Sequence, residues 1–327
     1  MKLATLNTPN RDGRLMVVSR DLTRAVEVVH LAPTLQSALD RWSHVGPLLE
    51  DVAARLEAGD LTDTRHFDAR DVTSPLPRAY QFLDGSVYLH HMMKARQARG
   101  VEMPPNFASE PLMYQGVSDG FFGPHEDVPF SSEDLEIDFE AEIAIVTDDV
   151  PMGVSAADAA RHIKLIMLMN DWTARALTRS ELPKGFGFVQ SKPPCSFSPV
   201  AVTPDEFGAA WDGAKLSLPL LSFVNGQVVG TPNAGTDMFF TYPELIAHAA
   251  RTRRLTAGTV IGAGAVSNRD PATGHGCIAE ARVDEQATHG APRTAWLRFG
   301  DRVRIDMQDP TGLSVCGALN QAVVKAS

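Results

Sequence analysis

Apolar and acidic residues alternate without a break from position 135 to position 143. Leu135, Ile137, Phe139, Ala141 and Ile143 take the odd positions, Glu136, Asp138, Glu140 and Glu142 the even ones, and Ile145 continues the apolar set. A period of two is that of a strand, so the four carboxylates are expected in one row about 7 Å apart. Ala144 and Ile145 follow directly, which places Glu140 and Glu142 deeper than Glu136 and Asp138. The spacing predicts a short strand at 15–18 and a helix over 37–58 that Gly59 stops and the Gly46-Pro47 pair kinks or divides. A second helix is expected from Ser86 to Gly100. A third opens at Ser155, whose capping box closes on Asp158, and runs to Met169. Asn225-Gly226 marks a hairpin turn within 222–229. Further strands are expected at 259–266, 296–299, 302–307 and 313–321.

These elements divide at Ser74-Pro75-Leu76-Pro77-Arg78, a stiff segment because each proline excludes its predecessor from helix. Residues 1–75 read as a small α+β domain and 76–327 as a mainly β domain, an α+β chain of two domains. That number agrees with 327 residues at about 150 per domain.

Composition narrows the function. Forty acidic against 30 basic residues give a charge of -10, which argues against a nucleic-acid surface. No apolar run approaches the roughly 20 residues of a membrane helix. Cys195, Cys277 and Cys316 form no C-x-x-C pair, so buried thiols in a reducing compartment are expected. The polar start MKLATLNTPNRDGR offers no signal-peptide core, and a cytoplasmic protein is the expectation.

Three segments carry candidate chemistry. Glu140 and Glu142 either face solvent at a sheet edge or converge on a hard divalent cation, which takes oxygen ligands. Asp171, in Asn170-Asp-Trp-Thr-Ala-Arg175, follows the apolar run 165–169; at a helix carboxyl end it would oppose the macrodipole and need a partner such as a cation, unless it is simply an Asn-Asp turn. Arg175 could pair with it. Asp84 precedes the helix expected from Ser86, and His91 lies two turns along on nearly the same face, a geometry for a metal at the helix mouth and a base beside it, or for a helix histidine held by the backbone. His90 is given no role. Gly262 and Gly264 permit either close approach to a ligand or tight strand packing.

Together these pieces resemble the fumarylacetoacetate hydrolase family from about Ser74 onward. The matches are Asp84 with His91, Asp138-Phe-Glu140-Ala-Glu142, Asn170 to Arg175, Lys192, Gly264-Ala-Val-Ser-Asn268 and Gly276-Cys-Ile-Ala-Glu280. The resemblance implies a β-roll catalytic domain, a homodimer, and a metal held by Asp84, Glu140, Glu142 and Asp171, Ca²⁺ or Mg²⁺ with Mn²⁺ as a further candidate. It implies His91 as general base, Glu280 as its orienting partner, Lys192 and Arg175 on substrate oxyanions, and Tyr114 as a substrate-binding tyrosine. The family pattern is altered at Ser86, Ala265, Thr178 and Pro193-Pro-Cys-Ser196, which points to a changed substrate pocket. The expected activity is hydrolysis of the carbon-carbon bond of a small β-diketo acid, fumarylacetoacetate or another acylpyruvate, in aromatic amino-acid catabolism such as tyrosine degradation. The alternatives are a decarboxylase or isomerase of the same superfamily, a non-catalytic metal- or acid-binding protein, and Schiff-base chemistry at Lys192.

Overall fold

The apolar run that ends at Met169 is a strand and not the tail of a helix. In the computed structural model, which describes residues 1–97, 100–103 and 105–327, the expected cap forms: Ser155 Oγ accepts from Asp158 N at 3.1 Å. The helix it starts is one turn long, Ala156–Ala159, and after a further turn the chain becomes the strand Ile163–Asn170. Helical periodicity would leave one face of this run in water. Alternate strand positions instead enter two separate apolar clusters, Ile166 and Leu168 one, Leu165, Met167 and Met169 the other. A strand covered on both faces reads as an unbroken apolar run, which by itself resembles a buried helix.

This strand pairs antiparallel with Ala141–Thr147, Ala141 opposite Asn170 and Glu142 opposite Met169. Among the described residues they lie at the centre of a twelve-stranded sheet. On one side Val260–Gly262 follows, then Phe82–Gly85, parallel to it with Gly262 opposite Asp84, then Met113–Gly116. On the other side Ala201–Val202 leads to Lys2–Leu6, so residues from the start of the chain share the sheet. A five-stranded sheet contains the hairpin Leu221–Val224 and Gln227–Gly230, whose turn residues Asn225 and Gly226 have φ of 52° and 79°, as an Asn-Gly turn requires.

Several expected boundaries move. The expected helix over 37–58 divides at Asp40 and Arg41, giving α1 (Leu35–Leu39) and α2 (Trp42–Ala58); Pro47 is accommodated inside α2, and Gly59 caps it with φ 78°. α3 starts at Leu89 rather than Ser86 and runs to Gln97; positions 98 and 99 of the expected helix lie outside the described residues. The strand expected at 259–266 is limited to Val260–Gly262, because Gly264 turns away with φ 85°. Residues 296–299 contribute only a bridge from Leu297 to Ile137, and the last strand is Leu319–Lys325 rather than 313–321. With Ala156–Ala159 as α4, the remaining α-helices among the described residues are α5 (Arg175–Glu181), α6 (Tyr242–Ala249) and α7 (Ile278–His289).

The acidic row is also interrupted. Glu136 has φ 55° and stands before the short strand Ile137–Asp138, and the long strand begins only at Ala141. Asp138 is as deeply buried as Glu142, contrary to the expected gradient along the row.

Candidate active site

Sheet order gathers the acids. Asp84 is the last residue but one of the strand beside Val260–Gly262, Glu142 lies near the start of the next strand, and Asp171 follows the last residue of Ile163–Asn170. Asp171 therefore stands at the end of a strand, so the macrodipole argument for its placement does not apply. Carboxylate oxygens of Asp84, Glu142 and Asp171 lie within 4.8 Å of one another, and all three residues are buried. Gly264 N donates to both Asp84 Oδ1 and Glu142 Oε2 at 3.0 Å. Burial and then the neighbouring carboxylates push the Asp84 and Glu142 carboxyls well up.

Glu140, expected in the same group, turns instead to the cations. Arg175 Nη2 lies 2.6 Å from Glu140 Oε1 and 2.7 Å from Asp138 Oδ2, so Arg175 pairs with these two and not with Asp171. Lys192 Nζ bridges Glu140 Oε2 at 2.8 Å and Asp171 Oδ2 at 2.5 Å. Burial alone would raise the Glu140 carboxyl, yet Lys192 and Arg175 outweigh it and hold it low. Tyr114 Oη donates to Asp171 Oδ2 at 2.7 Å and Cys195 Sγ to Asp171 Oδ1 at 3.2 Å, so both groups serve the acid cluster.

The sequence alone points to no role for Asp138 beyond its place in the acidic row. Its carboxylate accepts from Ile278 N at 2.8 Å and Ala279 N at 3.0 Å, capping α7, while it holds Arg175. One buried acid thus fixes both the guanidinium and the helix that carries Glu280. Its presence in the alternating row was the available signal.

Asp84, Glu140, Arg175, Lys192, His91 and Glu280 all line one cleft of about 780 Å³, to which Ser86 and Tyr114 also contribute. Glu280 lies on the first turn of α7. Its Oε2 is 3.9 Å from His91 Nδ1, and its Oε1 accepts from Ser267 Oγ at 2.5 Å. A contact of 3.9 Å is longer than a hydrogen bond, as catalytic contacts often are before substrate binds. Burial would raise the Glu280 carboxyl, but His91, Ser267 and Lys94 together bring it down to about 2. His90 Nδ1 lies 3.2 Å from Ser267 Oγ at the edge of this pair. The three cysteines are buried and free, and Cys277 Sγ lies within 4.8 Å of His91 and Glu280.

The donor set suits a divalent metal. Five buried acids, Asp84, Asp138, Glu140, Glu142 and Asp171, face two cations, Arg175 and Lys192, so acids outnumber cations by three. Glu142 Oε1 is buried and has no hydrogen-bond partner among the described residues. Carboxylate oxygens select hard cations of the Ca²⁺, Mg²⁺ and Mn²⁺ kind.

Gly262 is required by this packing. A methyl group there would fall 2.4 Å from Asp84 Oδ1 and 2.6 Å from Met169 Cε. Gly262→Ala is expected to cost about 1–3 kcal/mol and to displace Asp84. Thermal denaturation and metal affinity, measured on the same variant, check both effects.

Comparison with known proteins shows the family. The model of the fumarylacetoacetate (FAA) hydrolase C-terminal region matches residues 81–324, and that of fumarylacetoacetase N-terminal domain 2 matches residues 1–78. The chain is 24% identical over 209 residues to the 2,4-didehydro-3-deoxy-L-rhamnonate hydrolase of Sphingomonas sp. (strain SKA58), covering 60% of this chain and 69% of that protein. It is 27% identical over 242 residues to the oxaloacetate tautomerase YisK of Bacillus subtilis (strain 168), covering 73% and 69%. A solved structure of a putative HpcE protein from Mycobacterium smegmatis shares the fold over the whole of both chains, with a TM-score of 0.69 at 22% identity. With the C-terminal model of that family matching residues 81–324, about three quarters of its 327 residues, the chain belongs to the fumarylacetoacetate hydrolase family.

Proposed function

We propose that this protein is a divalent-metal-dependent hydrolase that cleaves a carbon-carbon bond of a small β-diketo acid of the acylpyruvate type. The observation that carries the reading is that Asp84, Glu140 and the His91–Glu280 pair line one cleft, with the buried Glu142 and Asp171 within 4.8 Å of Asp84. The similarity to a hydrolase whose named substrate is a 2,4-didehydro-3-deoxy sugar acid supports it.

Asp84, Glu142 and Asp171 would hold the ion, with Glu140 as a fourth carboxylate joined to Asp171 through Lys192. When bound, the ion would supply Lewis acidity to a β-diketo acid. His91 takes a proton from water, and Glu280 keeps the imidazole in the orientation that exposes its free nitrogen. Lys192 and Arg175, already held between carboxylates, supply positive charge where the attacked carbonyl becomes an oxyanion. The bond to the central carbon then breaks, and the proton on His91 returns to that carbon. Aromatic catabolism as the setting and a homodimer as the working form belong to the same proposal.

A second reading, keto-enol tautomerisation or isomerisation of a 2-oxo acid without attack by water, is favoured by the similarity to an oxaloacetate tautomerase over 73% of the chain. Product analysis on a panel of 2,4-diketo acids and oxaloacetate, with and without chelator, separates the two. The hydrolase reading expects two acid fragments in a chelator-sensitive reaction. Tautomer or isomer alone, with no fragments from any diketo acid, selects the second reading.

A further inference from the structure

Lys94 is a cation that the mechanism above leaves unused. It sits on α3 one turn beyond His90 and His91 and lines the cleft. Its Nζ lies 3.4 Å from Glu280 Oε1 and 2.6 Å from Asp284 Oδ2, with the side chain 16% exposed. α3 packs against α7, so this ion pair ties the helix of His91 to the helix of Glu280.

Glu280 faces His90, His91 and Lys94 from α3, and Ser267 from the segment after Val260–Gly262. His275 and Cys277 approach from the segment entering α7, and Asp284 stands one turn along its own helix. In this set only Lys94 carries a permanent positive charge. The imidazoles are cations only when protonated, and a thiol and a hydroxyl carry none. A general base acts as the neutral imidazole, so at the moment His91 is competent it gives Glu280 no counter-charge. A carboxylate 2% exposed and without a counter-charge is strongly disfavoured.

Resting on the functional reading above, we propose that Lys94 is a positioning residue that keeps Glu280 ionised beside a neutral His91, with Asp284 aiming its ammonium. Asp284 is the nearer partner but its side chain is 37% exposed, so water screens it, whereas the buried Glu280 is screened much less. Lys94 supplies the charge, Glu280 the orientation, and His91 the proton transfer.

Lys94 lines the cleft, so gripping the substrate is the competing role, and it moves a different constant. The full-length protein labelled with ¹³C at glutamate Cδ, its Glu280 signal assigned by its loss in Glu280→Gln, reports the charge directly. In Lys94→Met that signal is expected to titrate about one pH unit or more higher than in the wild type, and Lys94→Arg restores it. On a diketo acid, kcat of Lys94→Met is expected to fall about tenfold or more with KM within about twofold, and Lys94→Arg recovers most of the rate. A Glu280 signal that does not move in Lys94→Met overturns the proposal, as does a raised KM at unchanged kcat. The titration needs no turnover. A wild-type protein that cleaves no diketo acid therefore counts against the functional reading, while the carboxyl signal still decides whether Lys94 holds Glu280 ionised.

Discussion

Arg175→Ala is expected to lower the stability of the protein by about 3–5 kcal/mol and to abolish turnover. The guanidinium spans two carboxylates that come from one short stretch of chain, Asp138 and Glu140, both buried. Removing it leaves Asp138 with backbone N–H donors only, from Phe139, Ile278 and Ala279, and leaves Glu140 with Lys192 as its remaining cation. An uncompensated buried charge costs far more than the ion pair contributes when intact. The damage reaches the chemistry because Asp138 also caps α7, one residue before Glu280. Arg175→Lys is expected to recover only part of the loss, since a single ammonium does not present the fork that meets both acids. Arg179, 62% exposed and paired at 2.8 Å with Glu136, is the control: Arg179→Ala should cost about 1 kcal/mol or less. Chemical denaturation of the three variants checks the ranking.

The acid cluster was legible because its members carry local signatures. The alternation singles out Glu136 to Glu142 although the structure interrupts the row, and the Asn-Asp-Trp motif singles out Asp171, whose carboxylate lies within 4.8 Å of those of Asp84 and Glu142. The misreading of that run has a physical origin: a strand buried on both faces loses the alternation that identifies it, and Leu and Met fit a helix as readily. The partner of Arg175 was misplaced for a related reason. An Asp four residues before an Arg meets it on a helix, but α5 begins at Arg175, so Asp171 is not on the same helical face. Ser267, Lys94 and Cys195 owe their positions to tertiary packing across 13 or more residues of sequence, and no local pattern announces contacts of that kind.

His91→Ala is expected to reduce turnover of a cleaved diketo acid by about 10²–10⁴-fold, the range that a positioned general base supplies. The same variant should bind metal as the wild type does, because the imidazole stands with Glu280 and the three acids gather without it. A non-catalytic metal-binding protein predicts the same binding but no activity to lose. A rate that survives His91→Ala would transfer the base role to another group in the cleft.

The most direct test of the central claim is calorimetric titration of Mg²⁺, Ca²⁺ and Mn²⁺ into chelator-treated protein, comparing the wild type, His91→Ala and Glu142→Gln. Glu142→Gln replaces a carboxyl that burial and its acidic neighbours push well up with a neutral amide of the same shape, so the variant should stay folded while losing a ligand. The account predicts one ion bound per chain in the wild type and in His91→Ala, and none at comparable affinity in Glu142→Gln. No binding of any of the three ions to the wild type, or binding that Glu142→Gln leaves intact, would contradict it.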